Sequence, residues 1–261
     1  MKYLKILIIL TIIICHFNIN VASKELNKKQ NKYLYDNINV LEKKDYQEIN
    51  DTLSKISELK RFNIYVYITD KIVGKSVEQD SNMKANELMR STEYSAATLF
   101  YIAIADRKMK IEVGNGALFE LSDNTCKDIL NKMLPKLKTT DYKGAILIYI
   151  NEINNIIKNY SWVIDKEDFR VTGLININKI FEIVPEKIDL EEDHLYVYYK
   201  NTQILLKYSK YQDMMIRNYF ISKKSAKELI LTSKFRLYFR LIKVENKELY
   251  MGNLVGLYEQ R

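Results

Sequence analysis

The stretch Phe100–Ile153, FYIAIADRKMKIEVGNGALFELSDNTCKDILNKMLPKLKTTDYKGAILIYINEI, decides the reading of the fold. Thr98 to Ala105 is almost wholly apolar, as expected of a strand covered on both faces. Asp106-Arg107-Lys108 turns the chain, and Met109 to Val113 runs back as a paired strand. Ser122 is a good N-cap for a helix, with Asp123 favourable at its positive end. That helix is expected to end near Pro135. Asp141 then caps a long helix whose Ile146, Tyr149, Ile150, Ile153, Ile157 and Tyr160 form one stripe.

Upstream, residues 41–60 carry Leu41, Tyr46, Ile49, Leu53, Ile56 and Leu59 at helical spacing. Phe62 to Thr69 alternates as a strand, Gly74 and Ser76 mark a loop, and Val77 to Arg90 is an amphipathic helix. Residues 33–160 therefore read as an α/β sandwich with a short central sheet. Beyond Trp162 the pattern changes to period two. Leu195–Tyr199 and Ile204–Tyr208 flank Asn201-Thr202 as a hairpin, and Lys234–Lys243 is expected to pair with Glu248–Tyr258. One helix, Ser225 to Leu231, opens with a capping box of Ser225 and Glu228. Residues 165–261 read as a smaller, mainly β unit.

Composition removes several chemistries. The 261 residues include Gly 7, Pro 2, Cys 2, His 2 and Trp 1, with a net charge of +8. Residues 1–22 have the layout of a secretory signal peptide, with Lys2 and Lys5 before an apolar run from Ile6 to Cys15; an uncleaved anchor is the alternative. Without this segment only Cys126 and His194 remain, which excludes a Cys/His zinc cluster and an intramolecular disulfide. The glycines spell neither a P-loop nor a dinucleotide-binding turn. The expected compartment is extracellular, and no later stretch is long and uncharged enough to span a bilayer. Asn50-Asp51-Thr52 and Asn159-Tyr160-Ser161 are glycosylation sequons.

The segment Phe100–Ile153 resembles the TPM domain family. The shared pattern is an apolar strand, Asp106-Arg107, a return strand ending in Glu112-Val113-Gly114, and Leu121-Ser122-Asp123 opening a helix. Tyr142-Lys143-Gly144-Ala145 follows, and Val40-Leu41 and the strand ending in Asp70 fit upstream. The family includes thylakoid-lumen phosphatase-like proteins, bacterial extracytoplasmic proteins and modulators of levamisole-sensitive acetylcholine receptors. Phosphatase-like and bacterial members usually read Gly-Tyr-Gly-Leu-Glu-Gly where this chain has Gly114-Asn115-Gly116-Ala117-Leu118-Phe119. The missing carboxylate weakens any hard-cation site. The form found here looks more like the receptor-modulator branch, which acts by binding. That branch often has cysteines and a membrane anchor near the C-terminus, and this chain has neither there.

Two kinds of site follow. Asp70, Asp106 and Asp123 are the candidate catalytic carboxylates of a phosphatase, or ligands for Ca²⁺ or Mg²⁺. Their structural reading, as turn and helix-capping residues, is favoured, so no cofactor is expected. Residues 196–243 hold eleven Lys or Arg against Asp213 and Glu228. If Lys207, Arg217, Arg236 and Arg240 share a sheet face, they would bind an anionic partner: a membrane receptor, a sulfated glycan or a lipid surface. Nucleic acid is not the expected partner of an exported chain. The expected function is a secreted, non-enzymatic protein that modulates a membrane partner, an acetylcholine-gated cation channel by resemblance. A TPM-type acid phosphatase and a binder of anionic glycan or lipid are the alternatives.

Overall fold

In the computed structural model, the described residues are 33–259, apart from 91, 93–95, 171–176, 192–193, 210–211, 214–215, 217–227, 231–234 and 247. The leader segment and Arg217 therefore lie outside them. Residues 33–160 form the expected α/β sandwich. Strands β1 (Leu34–Asp36), β2 (Asn63–Thr69), β3 (Ala97–Ala103) and β4 (Lys108–Val113) make a four-stranded sheet in that order. The first three run parallel and β4 returns antiparallel to β3. Helices α1 (Lys43–Lys60), α2 (Val77–Met89), α3 (Asp123–Lys138) and α4 (Tyr142–Ile157) accompany them. All seven residues of β3 are buried, which explains its unbroken apolar run.

Local chemistry sets the helix starts. The Ser76, Ser122 and Asp141 side chains accept from the backbone N–H of Gln79, Thr125 and Gly144, each satisfying a first-turn donor. Helix α3 does not stop near Pro135. It continues to Lys138, because only its last turn lies beyond the proline and Leu137 there packs on the core. Strand β1 carries no sequence signal of its own. Asn50 of α1 holds it: its Oδ1 accepts from the backbone N–H of Tyr33 and Leu34 at 3.0 and 3.2 Å.

The second unit is a mixed, mostly antiparallel sheet. Its strands are β5 (Ile164–Asp165), β6 (Ile180–Ile183), β7 (Lys187–Leu190), β8 (His194–Tyr199), β9 (Thr202–Lys207), β10 (Glu228–Ile230), β11 (Phe235–Val244) and β12 (Leu249–Glu259). Among the described residues the order is β10-β7-β8-β9-β12-β11-β6-β5. Lys200 and Asn201 both take positive φ, 46° and 62°, which makes the β8–β9 link a two-residue hairpin turn one residue earlier than expected. The expected helix over Ser225–Leu231 is replaced, at Glu228–Ile230, by a strand on β7. A seven-residue helix is too short to hold itself, and an open sheet edge offers ladder bonds instead. Phe169 centres the second core. Its ring lies 4.9 Å from that of Tyr250 and 5.3 Å from that of Phe239, both edge-on.

Tyr33–Arg261 forms one compact unit, so the two sheets are joined. Ile180 and Val255 of the second sheet belong to the first core, along with Trp162. No described helix is long and apolar enough to cross a membrane.

Candidate functional site

Strand direction brings Asp70 and Asp106 together. Asp70 follows β2 and Asp106 follows β3 at the carboxyl ends of parallel neighbours, where open α/β sheets commonly place their sites. The backbone zips the two ends: Ile104 N–H donates to Thr69 O at 2.9 Å and Ala105 N–H to Asp70 O at 2.8 Å. Both carboxylates are exposed. Asp106 is already engaged, since its Oδ2 accepts from the Ile72 N–H at 2.6 Å.

A third carboxylate at this end escaped the sequence reading. Asp80, in the first turn of α2, is 5 % exposed. It accepts from the Val73 and Gly74 N–H at 2.5 and 2.6 Å and from the Tyr101 hydroxyl at 3.3 Å. A Cβ on Gly74 would stand 2.2 Å from Asp80 Oδ1, so a larger residue there would have to displace the carboxylate. Gly74 six residues before an aspartate in a first helical turn was the available signal. Burial, then the Asp80 charge, pushes the Tyr101 hydroxyl up to about 12, so this tyrosine stays protonated and a donor.

Asp123 is not part of the group. It opens α3 behind the turn that follows Val113, and Val113 pairs with Thr98 at the start of β3. The length of β3, roughly 20 Å at about 3.3 Å per residue, separates that end from Asp70 and Asp106. The proposed trio therefore divides between opposite ends of the sheet. Glu112, near Asp123, accepts from Ser81 Oγ at 2.6 Å and pairs with Lys110 on its own strand at 3.1 Å. Among the described residues no three His, Cys, Asp or Glu side chains are grouped to hold a metal ion. Cys126 is buried, and burial pushes its thiol up to about 12, which removes its nucleophilic form.

A model of the TPM domain matches residues 34–156. Residues 34–156, just under half of the chain, are similar to this domain. Solved structures that match cover about half of the whole chain. The N-terminal domain of the cg2496 protein from Corynebacterium glutamicum is 14% identical, with a TM-score of 0.40, covering 49% of this chain and 81% of that one. The BA42 protein from Bizionia argentinensis is 17% identical, with a TM-score of 0.43, covering 49% and 89%. The N-terminal domain of a protein from P. gingivalis is 16% identical, with a TM-score of 0.44, covering 50% and 87%. No curated protein matches the chain.

Outside the TPM domain, the expected cationic face loses Arg240. Lys207 is exposed at the end of β9. Arg236 is exposed on β11 and pairs with Glu182 of neighbouring β6 at 3.0 Å. Arg240 was expected on the same surface and is instead 0 % exposed. Its Nε lies 2.8 Å from Glu120 Oε1 of the TPM domain. Its Nη1 donates to Ser161 O at 2.7 Å and to Asn178 O at 2.6 Å. The guanidinium sits 4.5 Å from the Trp162 ring centre and 4.9 Å from that of Tyr160. The polar face of β11 meets water near Arg236 and the TPM domain near Arg240, so alternation alone misplaced this residue. Desolvation pushes the Glu120 carboxyl above its ordinary value, against the lowering effect of Arg240.

The sequons also part company. Asn159 is exposed after α4. Asn50 is 6 % exposed and spent on β1, so its side chain is not available to carry a glycan in the folded chain.

Proposed function

We propose that this protein is exported and acts by binding a membrane partner rather than by catalysis. One observation carries the reading: the buried carboxylate at this strand end, Asp80, is committed to the Val73 and Gly74 N–H and the Tyr101 hydroxyl, and one oxygen of Asp106 is held by the Ile72 N–H. That leaves the exposed Asp70 and the other Asp106 oxygen as the acceptors a general base or metal ligand would need. The resemblance to the modulator branch points to an acetylcholine-gated cation channel as the partner. Modulation then requires different affinities for the closed and open channel. Co-expression with such channels tests this: altered currents and co-precipitation are expected, and unchanged currents with no co-precipitation overturn it.

Asp70, exposed beside Asp106, supports a second reading, a phosphatase assisted by Ca²⁺ or Mg²⁺. Hydrolysis of p-nitrophenyl phosphate with either ion separates the two. Turnover lost in Asp106→Asn would establish catalysis; turnover no higher than background leaves binding as the function. Lys207 and Arg236 remain as exposed cations for a third reading, an anionic glycan or lipid surface. Salt-sensitive retention on heparin or anionic vesicles, reduced in the Lys207→Gln, Arg236→Gln variant, would support it.

A further inference from the structure

The carboxyl end of the first sheet also holds a groove that the aspartates do not line. Ile102 of β3 lies opposite Met109 of β4. Because neighbouring Tyr101 points toward Asp80 on α2, Ile102 points the other way, toward α3 and α4. Leu134, Leu137 and Lys138 fall at i, i+3 and i+4 of α3 and so share one helical face. With Ile104 and Tyr142 these residues enclose a groove of about 590 Å³, within the range of about 300–1,000 Å³ usual for small-molecule sites.

Its floor and its rim differ in chemistry. Ile102, Ile104, Met109, Leu134 and Leu137 make the floor, and Arg107, Lys108 and Lys138 stand around it. All three cations are exposed. Among the described residues, none of the three has a carboxylate within ion-pair distance. The nearby acids are turned elsewhere: Asp106 accepts from Ile72 N–H, and Asp141 is held by Lys136 at 2.9 Å and by the Gly144 N–H at 2.8 Å. Lys108 lies near enough to Glu78 on α2 to feel its charge weakly; Arg107 and Lys138 are the two cations on which the site is argued. Arg107 sits at φ 52° in the hairpin turn, a conformation that glycine or asparagine adopts at lower cost.

We propose that this groove binds a fatty acid, its carboxylate on Arg107 and Lys138 and its alkyl chain along the floor formed by β3, β4 and α3. A guanidinium presents two parallel N–H donors to a carboxylate. The chain removes apolar surface from water. A compact anion would leave the floor wet, and a neutral chain would leave the cations unmatched.

Fluorescence titration of the full chain with 11-(dansylamino)undecanoate tests the site, followed by displacement with dodecanoate below its micellar concentration. Saturable one-to-one binding is expected, with dodecanoate displacing the probe at least about ten times more effectively than dodecanol. Arg107→Gly is expected to weaken binding about ten-fold without lowering the melting temperature, since glycine suits the turn. Lys138→Gln should weaken it less, and Leu134→Glu should abolish it while the folded spectrum is kept. Absence of saturable binding overturns the proposal. So does binding that Arg107→Gly and Lys138→Gln leave unchanged, equal displacement by dodecanol, or displacement by inorganic phosphate as effective as by dodecanoate.

Discussion

The two sheets handle charge in opposite ways. The four-stranded sheet is covered by helices, and its central strand β3 is buried at every position. That central strand carries no charged residue. The eight-stranded sheet buries alternate residues, such as Leu195 and Val197 on β8 and Ile204 and Leu206 on β9. Where its other face meets the TPM domain, it takes a full positive charge inside with Arg240. A helix-covered sheet is specified by hydrophobicity alone. A sheet with one solvated face is specified by whatever else lands on that face, and here the partner is Glu120. Each sheet thus obeys the same burial rule, and in the second a carboxylate from the first completes it.

The largest effect should come from breaking that join. Glu120→Ala leaves the Arg240 charge buried without its carboxylate and should cost about 3–5 kcal/mol in urea unfolding. Replacing both partners, Glu120→Leu with Arg240→Met, should recover most of the loss, because the desolvation cost goes with the charges. A Glu120→Ala cost below about 1 kcal/mol would show that the pair does not hold the sheets together. Next comes Gly252 of β12, where an added Cβ would lie 2.6 Å from the Arg240 carbonyl oxygen. Gly252→Ala should cost about 1–3 kcal/mol through backbone displacement, measured the same way.

In the first sheet the expected effects are smaller. Ser122→Ala removes the cap of α3 and should lower stability by about 1 kcal/mol; no change in the unfolding midpoint would mean that packing alone sets that helix start. The smallest effect belongs to the rim of the second sheet. The Arg170 side chain holds the Asp168 carboxyl below its ordinary range. Ionised Asp168 therefore adds stability above the ordinary carboxylate pKa, and that stability is lost as pH falls through the lowered value. The pair is partly exposed, so the contribution should be under about 1 kcal/mol. Asp168→Asn should flatten the acid limb of a melting-temperature profile and leave neutral stability nearly unchanged. A steeper acid limb would reverse the sign.

Much of the first half was legible because each signal was local. The β3–β4 hairpin, the Ser122 and Asp141 caps and the α4 stripe are all readable within a few residues. Strand β1 was not, because three residues are too few to show a period; Asn50 and the Tyr46 hydroxyl, which donates to Leu34 O at 2.8 Å, fix it from α1. Strand β7 was hidden in an acid-rich run, where only Ile188 is buried. Asp80 looked like one more charge in a first helical turn. Its burial follows from the closure of the Gly74 loop over it, a contact that its place in the helix does not show.

The sequence by itself determined the α/β sandwich, the change to a β unit after Trp162 and the chemistries ruled out by scarce Cys, His and Gly, because propensity, capping and composition act locally. Tertiary structure alone decided which charges are spent and which face water. Asp70 and Asp106 share one end of the sheet while Asp123 lies at the other, because parallel strands align their ends. Arg240 is inside and Arg107 outside, because the energy of a charge depends on what covers it, and the covering groups come from distant parts of the chain.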